Sequence, residues 1–408
     1  MKYILIIGDG MADDPSPQLG GKTPLELVHK PNMDRLAAEG ELGSVSNCPA
    51  ELPAGSDTAI LSIFGCDPRS CYTGRAPLEA AAQGVRLQPG DVAYRCNMAS
   101  LEEGDLPFDQ RRIISHSSGG LDGEESRQLV EDLFADPAFA ALAARARMEV
   151  HPTLTYRHII LQHQGDVTGL TLTPPHDHLT EVCGPHLPRG GSAGPVLREL
   201  MEASFRFLSA HPINARRREK GLLPANCIWF WAEGTAVALP SFPGAYRKKG
   251  AVISAVPLCH GIGALIGLDR IMVPGATGEK DTNYLGKGEA AVKALQEDGY
   301  DFVAVHVEAP DECTHNGDSE GKQIAIENLD YFVIGTILSK MTEDFRMLIL
   351  SDHKTLTDTR GHAHGYVPYI LYDSRVHEGS GLSYTEANGL LGPHVEDGTA
   401  LMGMLFAK

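Results

Sequence analysis

Phe302-Val303-Ala304-Val305-His306-Val307-Glu308-Ala309-Pro310-Asp311-Glu312-Cys313-Thr314-His315 is the stretch that decides the fold. Its first six residues read as a strand buried on both faces, because the apolar run is continuous rather than alternating. The chain leaves that strand through an acidic, proline-containing turn, so Asp311 and His315 lie just beyond a strand end. Met347-Leu348-Ile349-Leu350 is a second such run, and it passes directly into Ser351-Asp352-His353, with His362 and His364 in the glycine-flanked loop that follows. In α/β proteins the carboxyl edge of a parallel sheet is where ligands sit, and carboxylates gathered there with imidazoles suit a divalent metal. One Asp or His in a loop is ordinarily only solvated or capping a helix. Two clusters on successive strands predict a metal site.

Outward from this pair the same pattern recurs. Residues 322–340 read as a long amphipathic helix between the two strands, which implies a right-handed crossover in a mostly parallel sheet. Tyr3-Ile4-Leu5-Ile6-Ile7 is a strand that delivers Asp9. Thr23-Pro24 and Pro31-Asn32 look like helix starts, with Gly40 as a stop. Leu52-Pro53-Ala54-Gly55-Ser56-Asp57-Thr58 runs into an apolar helical segment. Ser56 is there either an N-cap, as most such serines are, or a nucleophile at a helix N-terminus, where phosphoryl groups are favoured. No Gly-x-Ser-x-Gly elbow or Ser-His-Asp spacing is present to activate it, so activation would fall to a metal.

The chain has 408 residues, enough for two domains. A formal net charge of -18 disfavours nucleic acid and anionic membranes as partners. No apolar run approaches a membrane span, and the first apolar stretch is too short for a signal peptide. With eight cysteines and no Cys-x-x-Cys pair, the expectation is reduced thiols in a cytoplasmic protein.

The middle of the chain has its own pattern of strands and helices and no acidic metal candidates at strand ends. Residues 92–180 are therefore expected to be an inserted α+β module, with 1–91 and 181–408 forming the main α/β domain. Pro174-Pro175-His176-Asp177-His178 reads as a loop out of the insert rather than as a metal site, since its prolines and position already explain it. Arg216-Arg217-Arg218-Glu219-Lys220 reads as a solvated helix end. Arg75, on a Gly-hinged turn, together with Arg157, His158 and Lys287 are the candidates for holding an anionic substrate. Pro274 to Gly288 is not a P-loop, because Gly288 stands where Ser or Thr would hold magnesium.

Gly8-Asp9-Gly10-Met11-Ala12-Asp13, Pro53-Ala54-Gly55-Ser56-Asp57-Thr58-Ala59, Tyr72-Thr73-Gly74-Arg75-Ala76-Pro77, Pro274-Gly275-Ala276-Thr277-Gly278, Asp311 to His315 and Asp352-His353 are ordered motifs spanning nearly the whole chain. Together they resemble the archaeal-type cofactor-independent phosphoglycerate mutases of the alkaline phosphatase superfamily. The resemblance implies two divalent ions, manganese or zinc with magnesium as a further option, and no 2,3-bisphosphoglycerate. It implies Asp9, Ser56, Asp352 and His353 around one ion and Asp311, His315 and His362 around the other, with Ser56 carrying a phosphoryl group and the insert acting as a lid. His362 rather than His364 matches the family's ligand, counted from Pro368. Ala363, Gly365-Tyr366 and Glu308 depart from the mutase pattern. Pro174-Pro175-His176-Asp177, Ile228-Trp229 and Val307-Glu308-Ala309-Pro310-Asp311 look more like a bacterial branch proposed to act as a homoserine kinase.

Three activities follow as expectations: interconversion of 3- and 2-phosphoglycerate, transfer to another hydroxyl acceptor such as homoserine, or phosphomonoester hydrolysis. A metal-binding protein that has lost catalysis would lack a nucleophile or ligand, and none is missing. The expected partner is a small phosphorylated substrate, and homo-oligomerisation is left open.

Overall fold

The computed structural model describes residues 1–407 and divides into two compact units, one made of Met1–Tyr72 with the chain from Ala238 onward, the other of Thr73–Val237. The first unit opens with β1 (Lys2–Gly8) and β2 (Glu41–Val45). The second supplies β3 (Val92–Leu101), β4 (Ile113–Ser115), β5 (Met148–His151), β6 (Arg157–Gln162) and β7 (Cys227–Thr235). The first unit then resumes with β8 (Gly250–Ile253), β9 (Asp269–Ile271), β10 (Phe302–Val307), β11 (Phe345–Leu350), β12 (Lys354–Thr355), β13 (His362–Ala363), β14 (Val367–Asp373) and β15 (His394–Val395).

The inserted unit is larger than the expected 92–180, and the reason is non-local. β7 pairs antiparallel along most of β3, and helix Arg75–Ala82 packs on both strands. Helix Ala193–Ser209 in turn covers β7. Trp229-Phe230-Trp231 was legible as a strand, but nothing local says that its partner lies in β3. The stretch 216–220 is a helix end with Arg216, Glu219 and Lys220 exposed, as expected, and Arg217 is the exception. Arg217 is buried, with Nε on the Leu223 carbonyl, Nη2 on the Ser118 carbonyl and Nη1 3.0 Å from Glu125.

The main sheet has eight strands in the order β15-β2-β14-β11-β1-β10-β8-β9. Only β14 runs against its neighbours, so the sheet is mostly parallel. β1 lies between β10 and β11, with Ile7 opposite both His306 and Leu350. Asp9, Asp352 and the turn carrying Asp311 therefore leave the sheet at one edge. All six residues of β10 are buried, as a strand covered on both faces requires.

Between β10 and β11 one continuous helical rod runs from Ser319 to Lys340, interrupted by a π-helical turn at Leu329–Ile334. Asp330, in that turn, is buried and accepts from the backbone N–H groups of Met33 at 2.6 Å and Asn32 at 3.1 Å. It caps helix Pro31–Glu39, whose own N-cap residue Lys30 provides no side-chain acceptor. Helix Pro24–Leu27 carries the full capping box, with Thr23 and Glu26 reciprocally bonded. Among the described residues no helix is long and apolar enough to cross a membrane. The eight cysteines are all buried and unbridged.

Candidate metal centre and nucleophile

Asp9 follows β1 directly and is 1 % exposed. Asp352 and His353 follow β11 in the same way. Asp311 and His315 stand one turn apart on helix Ala309–His315, with His315 Nε2 3.1 Å from Asp311 Oδ2. The loop expected to hold His362 is a two-stranded ribbon in which β12 and β13 pair antiparallel, setting His362 opposite Thr355. Thr355 Oγ1 then donates to Asp311 Oδ1 at 2.5 Å, and His362 Nε2 lies 3.5 Å from the same oxygen. All seven expected ligands thus converge in the first unit.

His353 sits at the middle of the cluster. Its Nε2 lies 3.1 Å from Ser56 Oγ, 3.3 Å from Asp352 Oδ2 and 3.5 Å from Asp9 Oδ1. Donor atoms of Asp9, Asp352 and His353 lie within 4.8 Å of one another, and so do those of Asp311, His353 and His362. His353 therefore faces both groups rather than only the first. His315 Nε2 and His362 Nε2 approach to 2.9 Å.

Close approach at this edge demands a glycine. Gly10 has φ +59°, and a Cβ there would lie 2.4 Å from Thr355 Oγ1 and 2.6 Å from Asp311 Oδ1. Gly10 N–H and His353 N–H both donate to Asp352 Oδ1, whereas Asp352 Oδ2 is buried without a hydrogen-bond donor.

Ser56 is the first residue of helix Ser56–Ile63, and the N-cap is Gly55. Its hydroxyl is therefore not the capping acceptor that sequence left as one alternative. It points instead at Asp9, 3.2 Å from Oδ2, and at His353.

Burial, followed by the charges of Asp352, Asp311 and Glu308, holds the Asp9 carboxyl well above its ordinary range. Burial also works against the Asp311 carboxylate, but hydrogen bonds from His315 and His362 outweigh it and hold that group well below its ordinary range. The hydrogen bond to Asp311 pushes His315 up to about 9. Three crowded carboxylates, one of them held well above its ordinary range by burial and its acidic neighbours, and a buried Asp352 Oδ2 without a hydrogen bond are what a divalent ion would resolve. The donors are oxygen and nitrogen with no thiolate, and they fit such an ion.

A residue not singled out from sequence supports Asp9 from below. Val256 N–H donates to Ser254 Oγ at 3.0 Å, and Ser254 Oγ is 3.1 Å from His306 Nδ1. A carboxylate only accepts, so His306 Nε2–H donates to Asp9 Oδ2 at 2.9 Å, which leaves Nδ1 to accept from the Ser254 hydroxyl. Burial pushes His306 down to about 3, so the ring is neutral and its tautomer is set. The only sequence signal was one polar residue inside an otherwise apolar strand. Lys287 does not present its ammonium to solvent as a substrate-binding lysine would. It is 0 % exposed, donates to the His306 carbonyl at 3.0 Å, and is pushed down by burial to about 8. Tyr366, one of the departures, donates to Glu396 Oε2 at 2.6 Å.

The second unit contains a cationic cluster. Arg95 is nearly buried, stacked 4.0 Å over Trp231 and paired with Glu79 at 3.0 Å. Arg75, the first residue of its helix, reaches the same Glu79 at 3.3 Å. Arg157 lies 5.3 Å from Trp231 and is held by Asn97 Oδ1 and the Tyr156 hydroxyl. His176 packs edge-on against Trp231 and His116. Arg75 and Arg95 thus share one carboxylate, and Arg157 lies near the same Trp231 ring as Arg95. His158 is not part of this surface. It is fully buried, its Nδ1 accepts from Thr153 N–H at 3.0 Å, and its Nε2 lies 3.3 Å from Ser126 Oγ. Both ring nitrogens are used within the unit, because alternation along β6 turns His158 inward where Arg157 turns outward.

Known proteins resemble this chain throughout its length. A family model described as 2,3-bisphosphoglycerate-independent phosphoglycerate mutase matches residues 37–214. A protein of Geobacter sulfurreducens named as a probable enzyme of that kind is 42 % identical, covering 100 % of both chains. The Methanosarcina barkeri mutase is 43 % identical over 91 % of this chain and 90 % of its own. The solved structure of the PH0037 protein from Pyrococcus horikoshii superimposes with a TM-score of 0.81 at 29 % identity, covering 99 % of this chain and 96 % of that one. The cofactor-independent mutase of Thermoplasma acidophilum gives 0.64 at 25 % identity, covering 99 % and 98 %. The homoserine-directed expectation draws no support from these relatives. With identity above two-fifths sustained from end to end, the chain belongs to the 2,3-bisphosphoglycerate-independent phosphoglycerate mutase family.

Proposed function

We propose that the protein interconverts 3-phosphoglycerate and 2-phosphoglycerate by way of a phosphoryl group carried on Ser56. The observation that carries this reading is the Ser56 hydroxyl, directed from the first turn of a helix at Asp9 and His353. Asp9, Ser56, Asp352 and His353 would hold one divalent ion and Asp311, His315 and His362 the other, with His353 within reach of both. Manganese and zinc suit these donors, and magnesium is the further candidate. Ions held there would neutralise the phosphate and favour the Ser56 alkoxide.

The chain's own groups account for the rest. Ser56 Oγ bonds to phosphorus as the bond from phosphorus to the substrate oxygen breaks, and the hydroxyl proton has Asp9 Oδ2 as acceptor 3.2 Å away. The glycerate takes a proton on the oxygen it has lost phosphate from, turns, and accepts the phosphoryl group on its neighbouring hydroxyl. The phosphoryl group taken from the substrate is returned to the same glycerate, so the reaction as written needs no external phosphoryl donor such as 2,3-bisphosphoglycerate.

To the second unit we assign the holding of the substrate's anionic groups and the exclusion of water, through Arg75, Arg95, Arg157 and His176. An acidic chain that sets two arginines on one glutamate, with a third beside the same Trp231 ring, has concentrated positive charge for an anion.

The deciding experiment follows 3-phosphoglycerate with purified protein, with and without a chelator, in the absence of 2,3-bisphosphoglycerate. Formation of 2-phosphoglycerate, lost on chelation and restored by Mn2+ or Zn2+, is expected. Release of inorganic phosphate alone would convert the reading to a phosphomonoesterase, and turnover only with homoserine and ATP would replace it.

A further inference from the structure

In the second unit His178 ends the 3-10 turn Pro175–His178, His186 ends the 3-10 turn Gly184–His186, and Glu181 lies on the segment that joins them. His178 Nδ1 is 3.3 Å from Glu181 Oε2, and His186 Nε2 is 2.8 Å from that same oxygen. The two imidazole rings stack with centroids 3.8 Å apart and planes 18° from parallel. The three donor atoms fall within 4.8 Å of one another. We infer that these three side chains form a binding site for one zinc-class divalent cation, distinct from the acidic centre of the first unit.

Two neutral nitrogens and a carboxylate oxygen are a zinc donor set, and three protein donors leave a coordination position for solvent. The His-x2-Glu-x4-His spacing carries no recognisable signature, and the isolated His176-x-His178 pair was better read as loop. What changes the reading is the return of the chain, which brings His186 over His178.

The ligands are held in place by contacts other than their own. Thr180 N–H donates to the Ile113 carbonyl at 2.7 Å and Ile113 N–H to the Glu181 carbonyl at 2.9 Å. Cys183 N–H reaches the Arg111 carbonyl at 2.7 Å, and Arg112 Nη1 holds the Thr180 carbonyl. The segment is thus laced to the edge of β4, so an ion would find its donors already gathered and lose little in ordering them. His186 is only 16 % exposed and His178 28 %, while Glu181 is more open, which leaves the ion an entry path. The consequence for the unit lies two residues back. His176 packs on Trp231, and a cation at His178 would fix the segment that presents it.

The test counts metal in untagged full-length protein, stripped with a chelator and then equilibrated with buffered micromolar Zn2+. Wild type, His178→Ala and His186→Ala are compared by elemental analysis, with circular dichroism and a thermal melt to verify folding. One equivalent of Zn2+ fewer in each folded variant is expected. Because the readout is a difference between proteins that share the acidic centre, it stands whether or not that centre binds metal as proposed. Equal Zn2+ content in wild type and both folded variants would overturn the inference, as would an extra equivalent taken up only at millimolar free metal. If either alanine variant fails to fold, Glu181→Gln keeps the loop's hydrogen bonding and should still weaken Zn2+ binding at least tenfold. Unchanged affinity there would overturn it as well.

Discussion

His306 Nε2 donates to Asp9 Oδ2 across 2.9 Å with both side chains 1 % exposed, so the carboxylate nearest Ser56 is oriented by a neutral imidazole fixed in its tautomer from behind. Groups of this kind hold a ligand in direction, and removing them ordinarily weakens metal affinity tenfold to a hundredfold. His306→Leu should lower Mn2+ affinity by roughly that factor, and His306→Gln, which can still donate to Asp9, should recover part of it. Calorimetric titration of chelated protein measures both. An affinity unchanged in His306→Leu would remove His306 from the site.

Ser56→Ala should abolish turnover by several powers of ten while leaving the melting temperature nearly unchanged. Loss of an N-capping serine costs about 1 kcal/mol, but Gly55 occupies the cap and the Ser56 hydroxyl faces Asp9 and His353 instead. Quenching the wild type with substrate and searching for phosphate on Ser56 by mass spectrometry tests the covalent step. A variant with near-normal activity would end that mechanism.

Arg157→Ala should raise the KM for 3-phosphoglycerate with a smaller effect on kcat. Loss of a hydrogen bond to a charged group costs about 1.5–3 kcal/mol, roughly tenfold to a hundredfold in kcat/KM. The neighbouring His158→Gln should leave KM alone, since His158 is buried and bonded to Thr153 and Ser126. Steady-state kinetics on the two variants separates them. A KM effect confined to His158 would reverse the assignment.

Stability should fall as the medium is acidified through the histidine range, and His158 should contribute. Burial pushes its imidazole from 6.5 down to about 4, so between those values the unfolded chain binds a proton that the folded protein does not. Stability therefore rises with pH across that window, and the full penalty, on the order of 3 kcal/mol, is reached below it. Urea unfolding at pH 4 to 7 should show a steeper loss for wild type than for His158→Gln. Parallel curves would mean that His158 does not carry the dependence.

Much of the molecule was decided by sequence alone because the deciding interactions are local or periodic. The apolar runs at 3–7, 302–307 and 347–350 could only be buried strands, and in the structure they are adjacent β1, β10 and β11. Residues that follow such strands must emerge at one edge, which is why Asp9, Asp311, Asp352 and His353 could be named before any coordinates. Only the tertiary structure decided the rest. The limits of the inserted unit depend on β7 pairing with β3, a contact that burial rewards and no local signal encodes. His306 looks like one more strand residue until Ser254 and Asp9 close on either side of it. Arg157 and His158 are indistinguishable as charged neighbours in a sequence, yet strand alternation sends one toward Trp231 and seals the other in the core. His178 acquires a second imidazole and a carboxylate only because the loop doubles back against β4. In each of these cases the chemistry depends on which side chain faces which, and that is set by packing across residues distant in the chain.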